Sequence, residues 1–75
     1  MAYHGLKIDP EFFVPVILGL KTAELRINDR DYKVGDWLIL REWQNGYTGQ
    51  QVARKVVHIA EVDFVSPGYV LMSII

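Results

Sequence analysis

The residues best equipped for chemistry are Lys21, Thr22, Glu24 and Arg26, in the stretch LGLKTAELRINDRD from Leu18 to Asp31. Lysine is a compact charge with three donors, suited to phosphate. Glutamate can accept from the exocyclic amine of a base, and arginine can hold phosphate bidentately or stack on a base. A face with both acceptor and donors suits the edge of a nucleobase better than simple charge attraction. Each residue also has a plainer use. Lys21 follows the end of an apolar run, where a cation can meet the last carbonyls of a helix. Glu24 and Arg26 can be a solvated same-face pair worth about 0.2–1 kcal/mol. Asn28, which closes the candidate site, also suits a turn that holds its own backbone.

Trp43 and Lys7 complete the candidate site. Trp37 and Trp43 are either core residues or platforms for bases. Trp43 is the better platform, because it falls at a strand end beside Asn45-Gly46, with Tyr47 and Tyr69 weaker candidates. Lys7, Arg54 and Lys55 form either a basic rim or a solvated face. His4 and His58 lie far apart with no further ligand at metal spacing, so no metal is expected. No Gly-rich phosphate loop and no nucleophile elbow occurs, and no cofactor is called for.

The elements that must position these residues follow from periodicity. Asp9 can cap a helix that opens at Pro10, reads Glu11 to Leu18 and stops at Gly19, with Pro15 as an internal defect. Lys21 to Ile27 alternates with period two. Ala23, Leu25 and Ile27 form its apolar face, which leaves Thr22, Glu24 and Arg26 on the outward one. Asn28 to Lys33 and Val34-Gly35-Asp36 are turns. Strands follow over Trp37 to Trp43, Val52 to Val62 and Tyr69 to Ile75, with Asn45-Gly46 as hairpin signal and Ser66-Pro67-Gly68 as turn. Strands apolar on both faces, as at Leu38-Ile39-Leu40 and Val56-Val57, imply a small, mainly β barrel with one helix against it.

A chain of 75 residues fits one domain over 1–75, with 51% hydrophobic residues for one core. It has no cysteine, which excludes disulfides and thiolate metal sites and favours the cytoplasm. Its apolar run from Phe12 to Leu20 is too short to span a bilayer, so no membrane association is expected. A net charge of −1 argues against strong non-specific nucleic-acid binding but leaves room for a local basic groove.

The run Gly19, Lys21, Thr22, Glu24, Arg26, followed by Val34-Gly35-Asp36, resembles the signature of the ASCH domains, a branch of the PUA-like β-barrel superfamily. The remainder is similar to a compact subfamily found in phages and prophages with no assigned function. The matching segments are His4 to Ile8, Pro10 to Phe13, Asn28 to Tyr32 and Pro67 to Val70. The resemblance implies a barrel of about five strands with an N-terminal helix. It also implies a ligand, RNA or a nucleotide-like small molecule, in the cleft between them, with Lys21, Glu24 and Arg26 along that cleft.

Some small ASCH-like proteins are amidohydrolases acting on acylated cytidine. Lys21 matches their lysine. Their nucleophilic threonine corresponds to Glu24, and the helical insert that carries their third residue is reduced here to Ala60–Ser66. A carboxylate nucleophile would give an anhydride. The leading expectation is therefore a binding domain, with a small amidohydrolase that acts on a modified nucleoside through Lys21 as the alternative. A further alternative is a phage protein that grips a host protein through apolar surface around Phe12 and Phe13.

Overall fold

The computed structural model describes residues 1–75. In chain order the elements are β1 (Tyr3–Ile8), α1 (Pro10–Ile17), β2 (Ala23–Ile27), β3 (Trp37–Trp43), β4 (Tyr47–Glu61) and β5 (Tyr69–Ile74). The strands form one sheet of order β1-β3-β4-β5-β2, parallel between β1 and β3 and antiparallel elsewhere. The predicted mainly β fold with one helix is what forms. No helix is long and apolar enough to cross a membrane.

Alternation explains how the sheet closes on its core. His4, Leu6 and Ile8 of β1 point inward, as do Leu38 and Leu40 of β3 and Val70, Met72 and Ile74 of β5. β1 at one end of the strand order and β5 next to the other end thus share one cluster, which requires the sheet to curl. The long strand β4 serves both halves. A bulge between Val56 and His58 adds one residue on its side, so the inward parity changes from Val56 to Ile59.

The curl stops short of a complete ladder. β1 and β2 are the two ends of the order, and they are joined by side chains instead. Arg26 donates through Nη2 to the Lys7 carbonyl at 2.8 Å, and Arg30 through Nη1 to the Gly5 carbonyl at 3.0 Å. These bonds occupy backbone acceptors that an unpaired strand edge would leave exposed.

Helix α1 seals the barrel mouth with two buried residues, Phe13 and Val16. Burial of such side chains stabilises by about 1.5–3 kcal/mol each. The notion of Phe12 and Phe13 as one exposed apolar patch is therefore corrected: Phe13 belongs to the core and only Phe12 faces out. Asp9 makes no side-chain cap. It is extended at φ −67°, and its carbonyl accepts from the amides of Phe12 and Phe13. Pro15 sits inside the helix without a break; the one bond it forgoes is to the carbonyl of Glu11, an exposed residue of the first turn. The end is a Schellman turn: Leu20 N–H donates to the Pro15 carbonyl, Gly19 N–H to the Val16 carbonyl, and Gly19 takes φ +74°. The helix end's cationic partner is Arg54, whose Nη2 donates to the Val16 carbonyl at 3.2 Å; Lys21 points elsewhere.

The hairpin between β3 and β4 is tighter than expected. Tyr47, Thr48 and Gly49 belong to β4, and Tyr47 already pairs with Trp43. Asn45 and Gly46 supply the positive φ of the turn, 55° and 137°.

Candidate functional site

The largest correction concerns β2. Glu24 is only 4% exposed, whereas Leu25 and Ile27 are 57% and 50% exposed. The polar face points inward and the apolar face outward. The register explains this. Glu24 lies opposite Met72 and Arg26 opposite Val70, both core residues, whereas Leu25 and Ile27 lie opposite Leu71 and Tyr69. Because side chains alternate strictly along paired strands, β5 fixes which face of β2 is inner.

A buried carboxylate is costly unless paired and hydrogen-bonded. Glu24 meets both conditions: Lys21 Nζ contacts Oε1, and Arg26 Nε donates to Oε2 at 3.0 Å. The Schellman turn sets Lys21 just before the strand, and its ammonium also donates to the Ala23 carbonyl. Arg26 is spread between Glu24 and the Lys7 carbonyl, which leaves its Nη1 group uncommitted. Both cations keep about a quarter of their side-chain surface in solvent, 27% for Lys21 and 26% for Arg26.

The three charges floor an open cleft of about 410 Å3, within the range of small-ligand pockets. Lys7, Ile8 and Asp9 form one wall, Phe12 another, and Leu25 of the β2 edge borders it. Lys21 Nζ stands 6.0 Å from the centroid of Phe12. The cleft lies at the seam between β1 and β2, where the ladder is missing and the helix begins.

Of the sequence candidates, Lys7, Lys21, Glu24 and Arg26 line this cleft. Thr22 and Asn28 do not. Thr22 is exposed, and its carbonyl accepts from Ile74 N–H. Asn28 serves the turn, its Oδ1 accepting from Tyr32 N–H at 3.1 Å. Trp43 stands outside the cleft but touches its rim, with Lys7 Nζ 3.9 Å from its ring centroid. Asp9, expected only as a helix cap, and Phe12, expected only as apolar surface for a protein partner, also line the cleft. Their signal was the Asp9-Pro10 boundary, which starts the helix directly at the end of β1.

A second buried cluster forms at Asp36, which follows the expected turn at Val34-Gly35 and has a structural role beyond it. Asp36 is 3% exposed and accepts from His4 Nε2 at 2.8 Å, from Ala2 N–H and from Lys33 N–H, both at 3.0 Å. The His4 bond, aided by the Ala2 amide, holds the Asp36 carboxyl down to about 2. Tyr32 packs edge-on to His4, with centroids 4.8 Å apart. Burial pushes its phenol up, against the pull of Arg26 and Arg30.

Over 70 residues the chain is 37% identical to an uncharacterized 12.9 kDa protein in the GpA 3' region of Escherichia phage P2. That similarity covers 92% of this chain and 64% of the phage protein, so the chain spans a little under two thirds of the length of this curated relative. The domain of unknown function DUF3850 matches residues 3–74. A match over nearly every residue of the fold places the chain in the DUF3850 family.

Proposed function

We propose that this domain binds RNA or a nucleotide-like small molecule in the cleft between α1 and the barrel, as a member of the ASCH branch of the PUA-like barrels. The observation that carries this reading is the burial of Glu24 between Lys21 and Arg26 at the floor of an open cleft. A strand that needed only a wet face would have turned these residues outward.

The chemistry assigns a role to each residue. Glu24 has about four lone-pair sites and spends two on its cations, so acceptor capacity remains for a base amine. It also fixes the directions of Lys21 and Arg26, which reduces the rotamer entropy lost when a ligand binds. Arg26 Nη1 and the Lys21 ammonium are the donors for phosphate or a base carbonyl. Phe12 offers an apolar wall for a base or sugar. The resemblance of Gly19, Lys21, Thr22, Glu24 and Arg26 to the ASCH signature supports the same ligand class.

The test is a titration of the labelled protein with the four ribonucleoside monophosphates and a short single-stranded RNA, followed by amide NMR shifts. The expected result is a set of shifts at Lys21, Glu24, Arg26 and Phe12 that disappears in Lys21→Ala. An unmoved spectrum across the whole panel rejects the reading.

A further inference from the structure

We propose that the outer face of β1, β3 and the first half of β4 is a second binding surface, a stacking platform for single-stranded nucleic acid. This goes beyond the cleft; the two sites share a ligand class and Lys7 but no other residue.

Register and alternation define the face. Tyr3, Trp37 and Lys55 lie side by side across the three strands, then Gly5, Ile39 and Ala53, then Lys7, Arg41 and Gln51, and Trp43 with Tyr47 at the hairpin. No outward position in these strands is acidic, although the chain as a whole carries net charge −1. Cations and aromatic rings are therefore segregated here. The helix leaves this face open, because its buried residues enter the core on the opposite side.

The rings and cations already touch. Lys7 Nζ lies 3.9 Å from the Trp43 centroid, and the Arg41 guanidinium carbon 3.8 Å from that of Tyr47. Trp43 and Tyr47 meet edge to face at 4.9 Å. Surface cation–π contacts contribute only a few-fold in affinity. A base stacked on a ring contributes about ten-fold or more. A base can thus displace the cation from the ring, and the freed lysine or arginine is then at hand for the adjoining phosphate. From Trp43 to Lys55, opposite Trp37, the face runs about 20 Å along the strands, room for several nucleotides.

The protein's two tryptophans, Trp37 and Trp43, both lie on this face, so their fluorescence reports on it directly. The intact chain is titrated with twelve-nucleotide oligo(dT) and oligo(rU). The expected result is saturable quenching whose affinity falls about 20-fold for a four-fold rise in salt, as three phosphate contacts on a single strand require. In Arg41→Gln/Lys55→Gln the affinity falls at least ten-fold and the salt slope shrinks toward that of one contact, about −0.7. Trp43→Phe keeps a ring and retains most of the binding, whereas Trp43→Leu loses about ten-fold. Equal affinity for both oligomers supports readout of phosphate and base faces alone; a preference for oligo(rU) supports added contact to the 2′-hydroxyl. No quenching by either oligomer at low salt overturns the proposal. Quenching that Lys21→Ala abolishes and Arg41→Gln/Lys55→Gln leaves intact also overturns it and returns all binding to the cleft.

Discussion

The chain buries two carboxylates, Glu24 and Asp36, to nearly the same degree, and it holds them in opposite ways. Asp36 is tied by two backbone amides and a buried imidazole, donors that the main chain and a packed ring hold in place. Its partners come from the N-terminal strand and from the turn before β3, so the cluster staples the chain's beginning to its middle. Glu24 is tied by two long cationic side chains that keep part of their surface in water and donors to spare. A closed shell of short, fixed donors is what stability requires. An open shell of flexible donors around a buried charge is what recognition requires, because a ligand can enter it without breaking the fold. The comparison therefore sets Asp36 in the scaffold and Glu24 at the floor of the cleft, where the proposed function needs it.

The largest expected effect comes from breaking the scaffold member. Asp36→Ala leaves a buried imidazole and two amides without their acceptor, each costing about 1–3 kcal/mol. A loss of about 3 kcal/mol is expected in urea unfolding, a large part of what so small a domain has. Asp36→Asn, which keeps one acceptor oxygen, loses less. If Asp36→Ala unfolds no more easily than Glu24→Gln, the contrast between the two carboxylates collapses.

Acid sharpens the same contrast. Asp36 titrates near 2 when folded, below its ordinary 3.8. A depressed carboxylate contributes stability that is fully present above its unfolded value and is lost as pH falls through the folded one. Unfolding free energy is therefore expected to decline between pH 4 and 2, and the decline should flatten in Asp36→Asn. Equal slopes in both proteins would remove Asp36 from the account.

The asymmetry between the two carboxylates also explains how much was legible in the sequence. The helix and the strand β3 follow from periodicity, and both are found within a residue of their expected bounds. Lys7, Lys21, Glu24 and Arg26 were named from residue type, and they meet in one cleft. Their direction was not legible. An alternating strand announces two faces but not which is inner, and the apolar choice of Ala23, Leu25 and Ile27 was the wrong one. What decides is the partner β5, whose buried residues lie opposite Glu24 and Arg26, and that pairing spans more than forty positions in the sequence. The His4–Asp36 bond was hidden for the same reason: it joins residues 32 apart, and an aspartate after a glycine reads locally as turn chemistry.

On the side of the site, Glu24→Gln keeps shape and one acceptor oxygen, but it removes the charge and turns an amide NH2 toward one of the two cations. Because Lys21 and Arg26 can reach water, the expected stability loss is about 1 kcal/mol, nearer to an exposed pair than to a sealed one. The cleft should feel the change more: with Lys21 and Arg26 no longer aimed, nucleotide affinity is expected to fall about ten-fold, as read by the NMR titration. A variant that loses several kcal/mol of stability, or that binds as before, would move Glu24 to the scaffold beside Asp36.

The smallest effect separates aiming from charge. Arg26→Lys keeps the positive charge but gives up the planar fork that reaches Glu24 and the Lys7 carbonyl together. Lysine can satisfy one of these partners at a time. The Lys7 carbonyl lies at the open seam, where water replaces the lost donor, so the cost to unfolding is expected to be only about 0.5 kcal/mol. Hydrogen exchange should report the loss locally, as faster exchange in β1 and β2 with β4 and β5 unchanged, because only the seam relies on this bridge. If instead protection falls uniformly, the arginine bridges hold the whole barrel together, and the cleft at the seam is as rigid as the Asp36 cluster.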